Sequence, residues 1–526
     1  MRTVGADEVH RTLAGGEGEI AFLDVREPGQ YGEGHPLFAV NLPYSELEIR
    51  VGELVPNRTV PVVIIDDGAR SSDGEGVGAL AARRLAALGY EDVARVERGA
   101  RGWHSAGLNL FEGVNVPSKA LGELVEHALG TPHIDASALA ARQAAGDDLL
   151  LVDGRTGDEF RSLSIPGARS CPNAELPLRV PDWIPGSGTT IVVNCAGRTR
   201  SIIGAENLRA LGLPNPVLAL ENGTQGWRLS GLEPARDVVP EKLGALSASA
   251  RQRSRESGRK LLERFEIPTV DMAEVERWRP DGRTVYLIDV RTDLEYEAGH
   301  FPGARHAPGG QLAQATDRWI GVRGACIVLL DDSLVRAAAT ARWLRAMGHD
   351  ARVGEADSTA FTESGAASAA PLASGPVPLP SLDPSVLPAG AGVLDLSPSA
   401  AYRECHIEGA LWGIRPRLRT LPGLRQRPWV VVAPRAATAA LAALDLVEAG
   451  ARVAGYLPRD PAGWATAGLG TVSTPGEPPD GERIDFLFFV HDRHQGNPEA
   501  SRAYLAWETG LVSALSVEER RMFRVR

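Results

Sequence analysis

The chain is poor in cysteine, and this scarcity excludes two classes of protein. Its 526 residues include only four cysteines, at positions 171, 195, 326 and 405, and no two of them share a Cys-x-x-Cys spacing. Four scattered cysteines are too few for a disulfide scaffold or for a zinc site built from cysteines. Each cysteine must therefore be interpreted by itself.

Long apolar runs and a surplus of basic residues are also lacking. The first residues, MRTVGADEVHRTLAGG, form no apolar core, and nowhere do 18 apolar residues follow one another. We therefore expect neither a signal peptide nor a membrane span, and we expect a cytoplasmic location. Lys and Arg number 56 against 67 Asp and Glu, a net charge of -11. This balance disfavours binding of nucleic acid or of an anionic membrane surface.

What the chain does have is a repeated pattern. Four segments combine an apolar run, an aspartate and, seven residues later, an aromatic residue: IAFLDVREPGQY, LLLVDGRTGDEF, VYLIDVRTDLEY and GVLDLSPSAAY. After each of them comes a second apolar run that leads into an alanine-rich pattern of helical character. Short apolar runs alternating with helical patterns are typical of parallel strands buried on both faces. The sequence therefore predicts an α/β protein of four repeated domains, each a central, mostly parallel β-sheet flanked by α-helices.

The points at which the repeat breaks predict the domain boundaries. The four domains are expected at residues 1–130, 131–240, 263–365 and 391–473. The charged segment 241–262 is interpreted as a connecting helix, and residues 366–390, rich in Ala, Pro, Ser and Gly, as a linker. Residues 474–526 begin with an apolar, strand-like run and continue with the pattern of an amphipathic helix. We expect this C-terminal extension to pack on one of the repeats.

The stretch TTIVVNCAGRTRS places Cys195 at the end of the second apolar run of the second repeat. At the carboxyl ends of parallel strands, loop amides and the positive end of the following helix attract anionic ligands. Arg198 and Arg200 follow closely, and such surroundings lower the pKa of a thiol. A lone cysteine is often a small core residue, but a core position requires neither Gly197 nor two arginines. The loop therefore favours a reactive thiolate that meets an anionic substrate.

The strand, loop and helix around Cys195 resemble the active-site loop of the rhodanese family of sulfurtransferases, in which a cysteine precedes a short loop that often ends in arginine. In the third repeat, DVRTDLEYEAGHFPGARHAP resembles the first signature of that family. In the second repeat, NGTQGWRLSGLEP resembles its closing Gly-x-x-x-W-x-x-x-G-x-P motif. The resemblance spans nearly the whole chain, except the linker and the C-terminal extension.

This resemblance implies a sulfur transfer in two steps. The Cys195 thiolate attacks the outer sulfur of a donor and forms a persulfide, from which a thiol or cyanide acceptor removes the sulfur. The loop that would bind the donor consists of Ala196, Gly197, Arg198, Thr199, Arg200 and Ser201. Its two arginines favour thiosulfate over mercaptopyruvate as the donor. No cofactor and no metal are expected.

Two other functions are weighed against this one. Cysteine-dependent phosphatases use a Cys-x5-Arg loop, whereas Arg200 gives Cys-x4-Arg here, one residue too short to enclose phosphate. The second alternative is a sulfur carrier or redox-sensing protein, in which Cys195 accepts a persulfide from a partner protein. The other repeats would then be docking surfaces. A carrier would load once and stall without its partner, whereas an enzyme would turn over.

The other repeats lack a thiol at the position of Cys195. The second apolar runs align Asp66 of the first repeat and Asp331 of the third repeat with Cys195, and Pro434 or Ala433 in the fourth. None of these residues can carry a persulfide. The sequence therefore predicts one active site and three inactive copies with structural or regulatory roles.

Three further residues of the second repeat are candidates for support of the site. Cys171 is either a small core residue or a resolving thiol that forms a disulfide with oxidised Cys195. Asp153 and Arg155 are expected to form a structural pair that holds the first strand.

The remaining cysteines and a histidine pair give weaker signals. Cys326 opens an apolar strand and is expected in the core. Cys405 and His406 could suggest a catalytic dyad, but adjacent residues usually point apart. His491 and His494 flank an aspartate in the C-terminal extension, and without a third ligand we interpret them as part of a solvated turn.

Overall fold

The computed structural model of the protein describes residues 2–16, 18–69, 76–278, 282–356, 358–366, 379–494 and 496–525. It divides into two compact units. The first consists of Met1–Arg11, Ile20–Val114 and Ala370–Phe489, and the second of Thr12–Glu19, Asn115–Ala369 and Val490–Arg526. Half of the predicted linker, 367–378, lies outside the described residues, as do 70–75 of the first repeat.

The first sheet is formed by the N-terminal region. Its parallel strands are β1 (Arg2–Val4), β2 (Ile20–Asp24), β3 (Val40–Asn41), β4 (Val62–Ile65) and β5 (Val93–Val96). Their order is β1-β5-β4-β2, with β3 also paired to β2. The helices of this region are α1 (Ala6–Gly15), α2 (Pro28–Glu33), α3 (Leu47–Leu54), α4 (Val77–Ala87), α5 (Gly99–Ser105) and α6 (Val116–Leu129).

The second sheet contains the strand that leads to Cys195. Its strands are β6 (His133–Ile134), β7 (Leu149–Asp153), β8 (Arg169–Ser170), β9 (Thr190–Asn194) and β10 (Val217–Leu220), all parallel in the order β6-β10-β9-β7-β8. The helices are α7 (Ala136–Ala144), α8 (Gly157–Ser162), α9 (Leu176–Trp183), α10 (Thr199–Ala210) and α11 (Gly223–Leu229). Strand β9 lies in the middle of the sheet and is buried along its whole length.

The third sheet follows α12 (Ala248–Arg264), a helix in the charged segment that separates the second and third repeats. Its strands are β11 (Thr269–Asp271), β12 (Val285–Asp289), β13 (Arg305–His306), β15 (Cys326–Leu330) and β16 (Asp350–Glu355), parallel in the order β11-β16-β15-β12-β13, and β14 (Val322–Arg323) precedes β15. The helices are α13 (Met272–Trp278), α14 (Asp293–Ala298), α15 (Gly309–Gln314) and α16 (Val335–Ala346).

The region of the fourth sheet contains β17 (Gly392–Asp395), β18 (His406–Ile407), β19 (Leu411–Trp412), β20 (Pro428–Ala433), β21 (Arg452–Pro458) and β22 (Thr471–Val472). The sheet has the parallel order β19-β17-β20-β21, and β18 and β22 form a separate antiparallel pair. Its helices are α17 (Ser399–Glu404), α18 (Ala436–Glu448) and α19 (Pro461–Thr466). These sheets flanked by helices confirm the predicted α/β architecture.

The C-terminal extension is helical, and the expected strand at its start is absent from the described residues. The helices are α20 (Phe488–His494), α21 (Pro498–Ala514) and α22 (Val517–Arg521). The apolar run IDFLFFV forms a turn that leads into α20 instead of a strand, and its backbone bonds locally: the amide of Phe486 donates to the carbonyl of Arg483, and that of Phe488 donates to the carbonyl of Phe486. No helix in the described parts of the chain has the length and apolar character needed to cross a bilayer.

Within each unit, a buried arginine joins two of the repeats. In the first unit, Arg415 donates to Glu48 and to Asp445, both at 2.8 Å. In the second unit, Arg336 of the third repeat donates to Glu175 of the second repeat at 2.9 Å. A buried charge of this kind is tolerated only when it is paired, so these contacts fix which surfaces of the repeats meet.

Candidate active site

Cys195 lies at the carboxyl end of β9, directly before the loop that leads into α10. Its side chain is buried, with 2% of its surface exposed. The loop rests on the start of α11, because the carbonyl of Cys195 accepts the amide of Thr224 at 2.8 Å. This close approach requires glycine at position 223, where φ is +52° and a Cβ atom would lie 2.2 Å from the Cys195 carbonyl oxygen. Glycine at the second position of NGTQGW therefore allows the start of α11 to support the cysteine loop.

The loop after Cys195 offers hydrogen-bond donors to an anion. The amides of Ala196, Gly197 and Arg198 donate no hydrogen bond within the described part of the chain. The hydroxyl of Ser201 lies 3.6 Å from Cys195 Sγ and donates to the carbonyl of Arg198 at 2.7 Å. Successive unpaired amides at the start of a helix form a site suited to negative charge. Of the loop side chains predicted from the sequence, that of Ser201 thus lies beside the thiol.

The two loop arginines are paired with carboxylates, which the sequence does not reveal. Arg198 donates to Glu123 at 2.8 Å and also bonds Glu126. Arg200 forms a bidentate pair with Glu159 at 2.7 and 2.8 Å. Burial raises the pKa of Glu159, but the hydrogen bonds and charge of Arg200 outweigh this and lower it to about 2. The loop is therefore electrically compensated rather than basic, contrary to the expectation that both guanidinium groups meet the donor.

The third repeat shows that the arginine at this position has a structural use. Arg336 follows Asp331 by five residues, as Arg200 follows Cys195. It donates to Glu295 at 2.7 Å, and Glu295 occupies in α14 the same capping-box position that Glu159 occupies in α8. The same pair is thus made in a loop that has an aspartate in place of the thiol, which indicates that the pair orders the loop.

A carboxylate of the C-terminal helix α21 contacts the cysteine loop, and sequence reasoning missed it. Glu508 is fully buried and accepts the hydroxyl of Thr199 at 2.7 Å and the ammonium of Lys119 at 3.3 Å. A Cβ atom at Gly197 would lie 3.0 Å from Glu508 Oε2 and 3.5 Å from the ring of Tyr504. A side chain at position 197 would therefore meet α21 closely, and Glu508 would have to shift by a few tenths of an ångström. Glu508 is 309 residues from Thr199, so no local pattern could have revealed the contact.

The strand order places Cys171 two strands away from Cys195. It follows β8, and its amide donates to the carbonyl of Asp153 in β7, whereas Cys195 follows β9 on the other side of β7. Two strand spacings separate the cysteines by about 10 Å, beyond the reach of about 7 Å between Cα atoms in a disulfide. Burial, with a smaller effect of Glu175, raises the pKa of the Cys171 thiol well above its usual value. Both observations favour the core interpretation.

Asp153 and Arg155 form the pair expected from the sequence. Arg155 Nε donates to Asp153 Oδ1 at 2.9 Å and Arg155 Nη2 donates to Oδ2 at 2.7 Å. Arg155 also bonds the carbonyl of Leu163, and Asn194 beside Cys195 donates to Asp153 at 3.2 Å. The pair therefore fixes the turn after β7 and, through Asn194, the end of β9.

The aspartates of the first and third repeats occupy the position of the thiol and bind their own loop amides. Asp331 accepts the amides of Ser333 at 3.0 Å and of Arg336 at 2.9 Å. Asp66 accepts the amide of Gly68 at 2.9 Å. In the fourth repeat β20 ends at Ala433 and is followed by Pro434, which has no amide hydrogen to donate. The loops of the first and third repeats thus supply their own carboxylate to the loop amides, and the loop of the fourth repeat has one amide donor fewer.

The remaining cysteines and histidines that the sequence suggested make contacts of the kind that structural residues make. Cys326 is buried in β15, and burial raises its pKa to about 11. His406, beside Cys405, bonds the carbonyl of Tyr402 at 2.8 Å and stacks on the tyrosine ring. His491 lies 3.3 Å from Asp492. Within the described ranges, no cluster of three or more His, Cys, Asp or Glu side chains could hold a metal ion.

Comparison with known proteins agrees with this geometry. A model of the rhodanese-like domain matches residues 6–106, 135–230 and 271–363. The crystal structure of a thiosulfate sulfurtransferase from Pseudomonas aeruginosa is 39% identical, with a TM-score of 0.90 and 100% of both chains covered. A rhodanese-related protein from Thermoplasma volcanium is 26% identical over 20% of this chain and 97% of its own, with a TM-score of 0.18. No curated protein matches the chain. The chain belongs to the rhodanese-like domain family.

Proposed function

We propose that this chain is a sulfurtransferase in which Cys195 is the nucleophile that carries the transferred sulfur as a persulfide. The observation that carries the proposal is a single thiol at the end of β9, beside three loop amides that have no acceptor in the described structure. Asp66 and Asp331 stand at the matching positions of two other repeats, so the second repeat is the one that can form a persulfide.

The reaction follows from the geometry. In the first step, the Cys195 thiolate attacks the outer sulfur of the donor, the sulfur–sulfur bond of the donor breaks, and the remainder leaves with the bonding electrons. With thiosulfate as donor, the leaving group is sulfite. In the second step, an acceptor thiolate attacks the outer sulfur of the persulfide and releases the Cys195 thiolate. The amides of Ala196, Gly197 and Arg198 would stabilise the negative charge that the persulfide carries.

Thiosulfate is the donor that we propose, because a neighbour that is 39% identical over the whole of both chains is a thiosulfate sulfurtransferase. The role of the loop arginines is revised accordingly. Arg198 and Arg200 are bonded to Glu123, Glu126 and Glu159, so we propose that they order the loop whose amides bind the donor.

The alternative of a sulfur carrier loaded by a partner protein is less favoured by the site. Only 2% of Cys195 is exposed, and α21 packs against its loop. A cysteine of a partner protein would need to contact this thiol directly, whereas a small donor needs only a narrow opening in the protein surface.

Release of sulfite from thiosulfate tests the proposal. The wild-type protein is mixed with an excess of thiosulfate and with cyanide or a thiol, and sulfite is measured over time. Continuous release over many equivalents is expected, and Cys195→Ser should abolish it. Release that stops after one equivalent would support the carrier, and release that persists in Cys195→Ser would refute the role of this cysteine.

A further inference from the structure

A small cavity lies in the second unit, between α16 and the segment that follows α22. The amide of Arg524 in that segment donates to the carbonyl of Ala346 at 2.7 Å. The cavity has a volume of about 80 Å³, which is room for several water molecules or for an ion of similar size. Three arginines and two aromatic residues line it: Arg342, Arg345, Arg524, Phe265 and Trp343. Among the described residues no carboxylate lines it, so the cavity is positively charged in a chain whose net charge is -11.

Arg342 is held at the wall of this cavity by two aromatic rings. It is only 8% exposed, and its guanidinium carbon lies 4.0 Å from the centre of the Phe265 ring and 4.1 Å from that of the Trp343 ring. Aromatic rings attract a cation, but they carry no net charge that would neutralise it. Arg342 Nη1 donates to the carbonyl of Glu206 at 3.2 Å, and within the described chain its other N–H groups have no acceptor. The rings therefore fix a guanidinium group whose donors are left for a ligand.

No carboxylate forms an ion pair with Arg342 in the part of the chain that the structure describes. Glu206 acts on it through its charge, but this carboxylate is itself bonded by Thr131 at 2.8 Å and paired with Arg209. Burial lowers the pKa of Arg342 to about 10; the charge of Glu206 opposes this effect and that of Arg264 adds to it. A buried cation is costly unless an anion is paired with it. The site therefore lacks a partner that a bound anion would supply.

We infer that this cavity is a binding site for a small divalent oxyanion of the phosphate or sulfate type. The flat guanidinium group presents parallel N–H donors that match two oxygens of such an anion. Three arginines at one cavity favour an anion with two negative charges over a carboxylate, which has one. The inference goes beyond the proposed function, and binding of an anion here does not depend on sulfur transfer.

The cavity lies apart from the cysteine loop, although α10 connects the two. Besides the bond from Arg342 to the carbonyl of Glu206, Trp343 Nε1 donates to Asn207 Oδ1 at 2.7 Å. Helix α10 begins at Thr199, and it rises by about 12 Å from there to Asn207. The amides of the cysteine loop and the arginines of the cavity are therefore two separate places at which an anion can be bound.

Calorimetric titration of the full-length protein with sodium phosphate tests the inference. The free amides of the cysteine loop could also bind phosphate, so the titration is made with Cys195→Asp, whose new carboxylate should accept those amides as Asp331 does in the third repeat. Sodium chloride keeps the ionic strength constant, so that the screening of charges does not change. Saturable binding of one phosphate per chain is expected, and acetate should bind at least roughly tenfold more weakly. Absence of phosphate binding, or equally tight binding of acetate, would overturn the inference.

Arg342→Met removes the charge and the donors but keeps most of the packing volume. In the Cys195→Asp protein it should weaken phosphate binding by roughly tenfold to a hundredfold, the loss typical of a charged hydrogen-bonding group. Folding should be retained, because replacement of a buried charge by an apolar group of similar volume is often neutral or stabilising. An unchanged affinity for phosphate would overturn the inference.

Two further variants complete this test. Arg251→Met is the matched control, because it removes an exposed arginine at the other end of α12, about 20 Å along the helix from Arg264. It should keep the affinity for phosphate, and an equal loss in this control would overturn the inference by showing that only overall charge matters. Arg524→Ala, at an exposed arginine of the cavity, should weaken phosphate binding less than Arg342→Met does. Should Arg342→Met not fold, an unchanged affinity in Arg524→Ala would overturn the inference.

Sulfate and thiosulfate, titrated in the same way, identify the source of the anion. Similar affinities for all three anions would support a general oxyanion site, and tighter binding of thiosulfate would support a second site for the sulfur donor. Because Cys195→Asp cannot form a persulfide, the titration measures binding alone. Lack of sulfite release by the wild type would overturn the proposed function and leave this result unaffected.

Discussion

The loops at the ends of β9 and β15 have the same architecture but opposite chemistry. Each follows a buried central strand, precedes a long helix, and carries an arginine at the fifth position that bonds the capping-box glutamate of the repeat. In the third repeat, Asp331 binds the loop amides permanently, whereas in the second repeat Cys195 leaves three amides unbonded in the described structure. The third loop thus keeps the same fold with a carboxylate at this position, so the fold does not require a thiol there.

The substitution Cys195→Asp would convert the second loop into a copy of the third and should have the largest effect. The carboxylate would accept the loop amides as Asp331 does, and no persulfide could form. We expect sulfur transfer to fall by at least about 10³-fold, as for removal of a catalytic nucleophile, while the midpoint of thermal unfolding is kept or raised. Steady-state sulfite release and calorimetry measure the two effects. Substantial residual transfer would contradict the comparison.

The substitution Asp331→Ala in the third loop should affect the stability of the protein rather than its activity. It leaves the amides of Ser333 and Arg336 without their acceptor and removes one partner of the fully buried Arg336 guanidinium. Breaking a buried pair in this way costs about 3 kcal/mol. Urea unfolding would measure the loss, and a smaller loss is expected for Asp332→Ala, whose more exposed carboxylate bonds Arg336 at 3.1 Å but accepts no loop amide. A stability equal to the wild type would show that Asp331 does not hold the third loop.

Substitution of the two capping-box glutamates should have a smaller effect on stability, and this effect should depend on pH. The pKa values of Glu159 and Glu295 are both lowered to about 2, against burial, by Arg200 and Arg336 respectively. A pKa that is lowered on folding adds stability above the ordinary glutamate value of about 4.3, and this stability is lost as the pH falls toward 2. The carboxylate of Glu159 is 37% exposed, so solvent screening limits its contribution to about 1 kcal/mol or less.

Urea midpoints between pH 7 and pH 3 would measure this contribution. Glu159→Gln and Glu295→Gln should each be less stable than the wild type at pH 7, and the difference should shrink on acidification. A difference that is the same at both pH values would show that the ion pairs do not contribute through the charge of the glutamates.

The sequence was sufficient for the features that depend on local pattern. Continuous apolar runs predicted the buried parallel strands. The position of Cys195 after such a run predicted a thiol at the carboxyl ends of the strands of a parallel sheet. The run IDFLFFV was misinterpreted as a strand, because apolar character alone does not distinguish a strand from a turn that leads into a helix. About half of the predicted linker falls on residues that the structure does not describe.

The contacts that the sequence could not predict are those made across long distances in the chain. Arg198 and Arg200 suggest a basic loop when read alone, but their carboxylate partners lie 75, 72 and 41 residues away. Glu508 is still farther from the loop and lies in a helix whose pattern is that of an ordinary amphipathic surface. Charge read along a sequence therefore identifies a candidate anion site without giving its net charge in the fold.

Mass spectrometry of the protein after treatment with thiosulfate tests the central claim most directly. After removal of excess donor, peptides that contain each of the four cysteines are compared without reduction. The account predicts one added sulfur atom on Cys195 and none on Cys171, Cys326 or Cys405. An added sulfur on any of the other three cysteines, or on none of the four, would contradict it.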